Sequence, residues 1–229
     1  MKPLLRLFER WLALAARRTL ERERPYVITV SGTVGKSSTK QAISAVLHAD
    51  ETLTRTRVSA KNYNNELGVP LTVFGLLAPG RSIGAWVTLL SRAFFTSIGF
   101  TKTNIQTFVF ELGVDKPGDM KNLTTFVTPD LVVLTALTPE DASLAPSHTS
   151  NFGSIDALVE EESLIVNALR SQGTLVLNAD DARVYALRLG TDAHVLTFGF
   201  MEHADVRLIE TNVRTEEGTY GHIPVGLEL

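Results

Sequence analysis

Short apolar runs alternate with longer amphipathic stretches along most of the chain. The runs are rich in β-branched residues, which is typical of buried parallel strands, and they fall at residues 26–30, 107–111, 131–135, 174–177 and 194–198. Helical spacing of apolar residues lies between them, at 36–48, 120–128, 155–170 and 181–189. This alternation predicts an α/β fold with a mostly parallel sheet flanked by helices. The tail from residue 204 predicts a β-hairpin at the sheet edge.

The N-terminal segment 1–24 predicts an amphipathic helix that ends before Pro25. Over residues 4–20 the apolar positions recur at helical spacing, with Arg and Glu in many of the gaps. Two interpretations stay open: the helix packs on its own domain, or residues 1–20 rest on an anionic membrane surface. A second apolar helix is expected around 86–95, in an insertion at 76–103. Its aromatic residues either bury on the core or contact a membrane or a partner.

Composition narrows the function classes. The chain has 229 residues, of which 44% are hydrophobic and 21% charged, as in ordinary globular domains. It has no cysteine, which excludes disulfides and thiolate chemistry and fits a cytoplasmic location. Residues 1–24 carry seven basic and three acidic side chains, a net charge of +4, which leaves −7 elsewhere and −3 overall. With no general basic surface, we expect no nucleic-acid partner. No secretory signal or spanning segment is predicted.

A glycine-rich loop follows the first strand and leads into a helix. It reads Gly32, Thr33, Val34, Gly35, Lys36, Ser37 and Ser38. Glycines let a backbone curl around an anion, and the start of a helix attracts negative charge. The lysine can reach phosphates, and a serine hydroxyl can bind Mg²⁺. The loop is shorter than the usual G-x-x-x-x-G-K-[ST] pattern, and an ordinary turn is the alternative. Its place between a strand and a helix favours ATP and Mg²⁺.

Five further motifs follow this loop in a fixed order. They are NYNNELGVPLT at 62–72, FELGVDKPGD at 110–119, TPD at 128–130, His148 with FGS at 152–154, and LNADD at 177–181. Together with SGTVGKSSTK at 31–40, they resemble the ATP-binding central domain of the Mur ligase family. The resemblance runs over residues 25–212. The asparagine-rich segment has the form found in the branch of the family that adds D-alanyl-D-alanine.

The resemblance implies an ATP-dependent amide ligase of peptidoglycan precursor synthesis. In that family a carboxylate of a UDP-muramoyl peptide becomes an acyl phosphate, which the amine of an amino acid or dipeptide attacks. Family members have three domains. We therefore expect residues 25–229 to be the central domain alone, with the UDP-binding and C-terminal domains absent. A partner domain or a longer chain would be needed for the full reaction.

The resemblance also implies roles for catalytic and metal-binding residues. Lys36 would contact the transferred phosphate, and Ser37 and Glu111 would hold Mg²⁺. A carboxylate directly after an apolar strand needs a cation, so a structural ion pair is the alternative for Glu111. His148 matches the family's metal-binding histidine, although its approach is longer than usual. There Glu140 or Asp141 could take over the metal role, and a surface-loop histidine is the alternative.

Five polar residues are expected on the nucleotide and substrate sides of the site. Asn178 and Asp180 match the family's nucleotide contacts, with a simple turn as the alternative. The substrate side would use Asn62, Asn64 and Asn65, with loop hydrogen bonding as the alternative.

One position departs from the family pattern. Counting from the FGS motif, Glu162 stands where the family carries a carbamylated lysine that binds the second metal. Glu162 could supply a metal-binding carboxylate directly, the second metal site could be lost, or the acidic run 160–162 could form a solvated helix face. The departure supports an alternative function, a degenerate nucleotide-binding scaffold or regulatory module. The related folylpolyglutamate synthase class is a third candidate, against which the segment at 64–68 argues.

Overall fold

A computed structural model gives the fold of the chain. It describes residues 2–50, 53, 55–60, 63–137, 151–211 and 225–228. His148 and Asn62, two of the predicted site residues, lie outside these ranges, as do Glu140 and Asp141.

Within these ranges, eight strands form one sheet. They are β1 (Tyr26–Ser31), β2 (Thr56–Val58), β3 (Thr107–Glu111), β4 (Leu131–Leu134), β5 (Thr174–Asn178), β6 (His194–Gly199), β7 (Val206–Thr211) and β8 (Val225–Glu228). The strand order is β2-β3-β1-β4-β5-β6-β7-β8. All neighbours pair in parallel except β7 and β8, which are antiparallel. The predicted parallel sheet with a hairpin at its edge is confirmed.

Helices connect the strands. They are α1 (Lys2–Glu23), α2 (Lys36–Ala49), α3 (Gly68–Phe74), α4 (Ile83–Ser97), α5 (Asp119–Thr124), α6 (Ile155–Asn167) and α7 (Ala182–Ala186), the last followed by a 3-10 turn at Leu187–Gly190. The helix expected at 120–128 begins one residue earlier, at Asp119, and ends early, at Thr124.

Two elements have no clear signal in the sequence. Strand β2 has only three residues and lies at the sheet edge. Helix α3 has only seven residues, too few for a clear helical pattern, and carries Gly68 and Pro70 in its first turn, where a proline is tolerated. All seven of its residues are buried, so packing against the rest of the domain stabilises it.

The N-terminal helix is part of the domain core. Leu12, Ala15, Ala16 and Leu20 of α1 are buried, and the helix packs against α3 and α4. Packing of this helix on its own domain is therefore confirmed, whereas contact of residues 1–20 with a membrane stays a prediction. The other face of the helix remains exposed, with Leu7 and Leu14 at 62% and 45% exposure.

We predict that two leucines on α1 differ sharply in their effect on stability. Leu12→Ala leaves a cavity under a side chain that is 0% exposed, and should lower the free energy of unfolding by about 2–5 kcal/mol. Leu7→Ala removes an exposed side chain and should change it by less than about 0.5 kcal/mol. Urea unfolding followed by circular dichroism measures both. Equal effects would mean that α1 does not pack as described.

Candidate functional site

The glycine-rich loop forms the turn between β1 and α2. Gly32 has φ of 131°, and a Cβ added there would lie 2.3 Å from Thr135 Oγ1. Gly35, at φ 88°, precedes the first turn of α2, where no side chain caps the helix and no acidic residue occurs. The backbone N–H groups of a first helical turn lack partners within their own helix. This end of α2 therefore suits an anion such as a phosphate.

The end of β4 supports the loop from beneath. Thr33 donates from its backbone N and its Oγ1 to Ala136 O, at 2.7 and 2.8 Å. Thr135 Oγ1 lies within hydrogen-bonding distance of the carbonyls of Ser31 and Val34, at 3.1 and 2.6 Å, and donates its one proton between them. The two Thr33 bonds reach the backbone carbonyl of Ala136. The side chain at position 136 takes no part in them, so the sequence gives no signal of these bonds. The loop is fixed on two neighbouring strands.

The ammonium group of Lys36 lies on its own loop. Its Nζ is 2.5 Å from Gly32 O and 3.4 Å from Thr33 O. The side chain therefore returns over the curl of the loop and brings a positive charge to the start of α2. This is the placement that the phosphate-binding interpretation requires of the lysine.

Glu111 joins α2 to the sheet. Ser37 Oγ donates to the two carboxylate oxygens of Glu111, at 3.1 and 3.0 Å, and Lys40 Nζ lies 2.8 Å from Glu111 Oε2. The Lys40 and Glu111 side chains are only 6% and 8% exposed. Ser59 Oγ accepts a bond from the backbone N of Glu111 at 3.0 Å. The ion pair of the alternative interpretation is thus present, and the metal role of Glu111 stays a prediction.

Lys40 is the functional-site residue that the sequence analysis missed. It lies one helical turn after Lys36, so the two lysines project from the same side of α2. Two features of the sequence could have indicated Lys40. They are its spacing from Lys36 and the carboxylate at the end of an apolar strand.

The Ser37–Glu111 pair suits a hard divalent cation. Hydroxyl and carboxylate oxygens are ligands that Mg²⁺ accepts. Among the residues that the structure describes, no group of three or more His, Asp or Glu side chains converges on one point. The metal roles of Ser37 and Glu111 remain predictions that this arrangement supports.

Glu162 lies beneath the phosphate loop. Its side chain is on α6, is 2% exposed, and has Oε2 at 2.5 Å from Ser31 Oγ. The solvated-face interpretation is therefore wrong for this residue, because α6 turns it towards the sheet. Glu161 is half-buried and accepts bonds from Gly118 N and Met120 N at the start of α5, and Glu160 alone of the run is exposed.

Burial raises the pKa of the Glu162 carboxyl. The bond from Ser31, the charge of Lys36 and a bond from the Gly32 backbone all oppose that rise. Ser31 Oγ also lies 3.0 Å from Leu112 O. A hydroxyl has one proton, so Ser31 Oγ cannot donate fully to both Leu112 O and Glu162. The net effect of these surroundings is a raised pKa, with burial as its largest cause.

Asn178 and Asp180 lie at the same edge of the sheet as the loop, after β5. Asn178 Oδ1 accepts a bond from Asp180 N at 3.0 Å. The Asp180 carboxylate accepts bonds from Phe200 N and Met201 N at 2.8–3.1 Å, which closes the turn after β6. Both side chains thus serve the turns, and their contact with a nucleotide remains a prediction.

The described asparagines of the substrate segment differ in their surroundings. Asn65 Oδ1 accepts bonds from Leu67 N and Gly68 N, at 3.3 and 2.9 Å, and so holds the start of α3. Asn64 O accepts a bond from Gly113 N at 3.2 Å, two residues after Glu111. Asn64 therefore borders the site, whereas Asn65 makes the loop hydrogen bonds of the alternative interpretation.

Comparison with known proteins identifies relatives. The family model described as Mur ligase middle domain matches residues 94–225, more than half of the chain. The UDP-N-acetylmuramoyl-tripeptide–D-alanyl-D-alanine ligase of Bacillus subtilis (strain 168) is 27% identical over 194 residues, which are 85% of this chain and 34% of that protein. The enzyme of the same name from Mycobacterium leprae is 26% identical over 170 residues, 74% of this chain and 26% of that protein.

Solved structures share the fold. MurF from Acinetobacter baumannii superposes with a TM-score of 0.66 and 21% identity, covering 89% of this chain and 37% of that one. The MurF ligase of Thermotoga maritima in complex with ADP gives 0.63 and 20%, covering 90% and 40%. The chain thus spans a quarter to two fifths of the length of these relatives.

We predict that the Lys40–Glu111 pair contributes strongly to stability. Lys40→Met leaves a buried carboxylate without its cation, and should lower the free energy of unfolding by about 3 kcal/mol, measured by urea unfolding in EDTA. The double variant Lys40→Met/Glu111→Gln should lose less. Lys121→Met, at an exposed lysine, is the matched control and should change little. A Lys40 variant as stable as the control would contradict the pair.

Glu162→Gln should remove a pH dependence of stability. Because burial raises the pKa of Glu162, the folded protein keeps the proton to higher pH than the unfolded chain. The stability from the neutral acid is complete below the unfolded pKa of about 4.3 and is lost as pH rises through the folded value. The free energy of unfolding of Glu162→Gln, measured by urea unfolding, should therefore rise relative to that of the parent protein between pH 5 and 8. The exposed Glu160→Gln should show no such gain, and parallel pH profiles for both would refute the assignment.

Proposed function

The chain belongs to the Mur ligase middle-domain family, and on that premise we propose that it is the nucleotide-binding module of an ATP-dependent ligase that forms amide bonds in peptidoglycan precursor synthesis. The observation that carries the proposal is the phosphate loop, where the Ser37 hydroxyl meets Glu111 beside the uncapped start of α2. The parallel sheet brings these groups to the carboxyl ends of its strands, where α/β folds bind ligands.

The proposed reaction has two steps. A carboxylate oxygen of a UDP-muramoyl peptide attacks the terminal phosphorus of ATP, which forms an acyl phosphate and releases ADP. The amine of an amino acid or dipeptide then attacks the acyl carbon and loses a proton, and phosphate leaves as the amide forms. The relatives are named for joining D-alanyl-D-alanine to a muramoyl tripeptide, which supports a dipeptide amine here. The proposal includes a cytoplasmic location and a further domain to hold the peptide substrates.

Each described residue has a distinct task in this proposal. Lys36 and the N–H groups of α2 stabilise negative charge on the phosphates. Ser37 and Glu111 would hold Mg²⁺, which neutralises phosphate charge when bound. Lys40 fixes the position of the Glu111 carboxylate that would hold the ion. Two further metal ligands are proposed, His148 and Glu162. Only the resemblance supports His148, whereas the position of Glu162 next to Ser31, at the start of the loop, also supports Glu162.

One observation favours the alternative of a nucleotide-binding scaffold without ligase activity. The Glu162 carboxyl is already engaged by Ser31 and lies at the position that the family fills with a carbamylated lysine. A neutral, buried acid is a poor metal ligand, because metal binding requires the carboxylate. ADP release that depends on both peptide substrates would support the ligase. Binding of ATP with no such release in a chain that includes the further domains would support the scaffold.

We predict micromolar binding of Mg·ATP to the chain in isothermal titration calorimetry. Lys36→Ala removes a charged hydrogen-bond donor, and should weaken binding by about tenfold to a hundredfold. Glu162→Ala should leave binding nearly intact, because its carboxyl faces Ser31 and not the open side of the loop. Lys121→Ala, far from the loop in sequence and exposed, is the control for loss of a lysine.

Two results would count against this division of roles. Equal loss of binding in Lys36→Ala and Glu162→Ala would show that the two residues act as one unit. No binding by a chain whose circular dichroism and melting curve show it to be folded would overturn the assignment of the loop as a nucleotide site.

A further inference from the structure

Helix α4 carries a second apolar stripe that does not face the core. Leu89 and Ala93 are buried against the domain. Ile83, Val87, Phe94 and Ile98 recur at the spacing of one helix face, yet are 81%, 58%, 48% and 56% exposed. A helix that needs only one packed face would carry polar residues here. The second stripe therefore calls for a partner outside the core.

Helix α1 extends this apolar surface. The rings of Phe8 and Trp86 lie 5.9 Å apart near the starts of α1 and α4, and Arg22 Nη1 is 2.8 Å from Ser97 O near their ends. The two helices thus run side by side in the same direction. A groove of about 600 Å³ between them is lined by apolar side chains, among them Leu7, Trp11, Leu90 and Phe94. We call this surface, α1 and α4 with their groove, the α1–α4 face.

Basic residues lie close in sequence to both ends of the apolar stripe of α4. No acidic residue occurs between Glu66 and Glu111. Exposed Arg81 comes two residues before Ile83, and exposed Lys102 four residues after Ile98, whereas exposed Arg92 lies on the opposite side of α4 from the stripe. On α1, exposed Arg18 continues the line of Leu7, Trp11 and Leu14 at helical spacing. The acidic side chains at the end of α1 are engaged, Glu21 with Arg17 and Glu23 with Thr103.

We propose that the α1–α4 face binds the surface of an anionic lipid bilayer. Apolar and aromatic side chains flanked by Lys and Arg are the pattern of helices that lie in a membrane interface. Phe100, 79% exposed and two residues before Lys102, repeats the combination just beyond α4. In the part of the chain that the structure describes, no helix is both long and apolar enough to cross a bilayer.

The charges favour lipid over a second copy of the chain. A symmetric dimer built on this face would bring the arginines of the two copies together, and like charges in an interface oppose association. Each basic residue near the surface instead strengthens binding to an anionic bilayer, by roughly fivefold.

Vesicle flotation tests the proposal on the whole chain. Vesicles of phosphatidylglycerol and phosphatidylcholine should carry the chain upward, and vesicles of phosphatidylcholine alone should bind it at least about tenfold more weakly. Binding to the anionic vesicles should fall as salt rises from 0.1 to 1 M, because salt screens the arginines. Val87→Ser/Phe94→Ser should lower partitioning to the anionic vesicles by about tenfold or more.

Matched variants distinguish binding through the α1–α4 face from nonspecific hydrophobic adsorption to vesicles. Val46→Ser/Leu189→Ser removes two apolar side chains that are 72% and 80% exposed on other helices, and should leave partitioning unchanged. Lys102→Gln should lower it by about fivefold, whereas Lys121→Gln should not. Lys36→Ala should not change it either, so the test is independent of the nucleotide site. Melting curves confirm that each variant is folded.

Three results would overturn the proposal. The folded chain could fail to float with anionic vesicles, or Val87→Ser/Phe94→Ser could partition like its control. Light scattering could also show a dimer that Val87→Ser/Phe94→Ser dissolves, which would make the α1–α4 face an interface between copies of the chain.

Discussion

The buried carboxylate of Glu111 is the constraint on which the site depends. A carboxylate at the end of a fully buried strand is costly unless a cation and hydrogen bonds compensate it. Lys40 supplies the cation and Ser37 a hydrogen bond, and both belong to α2. Compensation of one charge therefore ties the start of α2 to β3. Since α2 follows the phosphate loop directly, the same contact fixes the loop.

A second carboxyl group acts from the opposite side of the loop. Glu162 reaches Ser31, the last residue of β1, and is close enough to Lys36 for that lysine's charge to act on its pKa. The two buried carboxyl groups are stabilised in different ways. Glu111 has a partner cation within 2.8 Å, whereas burial pushes Glu162 towards its neutral form. Two buried acids thus support one loop, one paired with a lysine and the other hydrogen-bonded to a serine.

Much of this architecture could be predicted from the sequence because it depends on local pattern. β-branched runs marked the parallel strands, and glycines at 32 and 35 marked the loop, where positive φ and close approach exclude other residues. The residues missed depend on distant contacts. Lys40 looks like an ordinary helix residue until β3 brings Glu111 beside it. The run at 160–162 looks like a solvated face until α6 packs on the sheet and turns one of its three acids inward.

The comparisons and the geometry support different parts of the site. The family model begins to match at residue 94, beyond the phosphate loop, whereas the Bacillus subtilis relative matches 85% of the chain. The match begins within helix α4, which has two different sides in the structure. Its Leu89 side completes the core, and its Phe94 side is exposed.

Overall charge is a poor guide to what such a face binds. The chain as a whole carries −3, but residues 1–24 carry +4, and fields between exposed charges fade over about 10 Å at moderate salt. A bilayer in contact with α1 and α4 therefore responds to the nearby arginines and hardly to the acids on the remaining surface. Segregation of charge along the chain thus permits one domain to keep a net negative charge and still present a basic, apolar face.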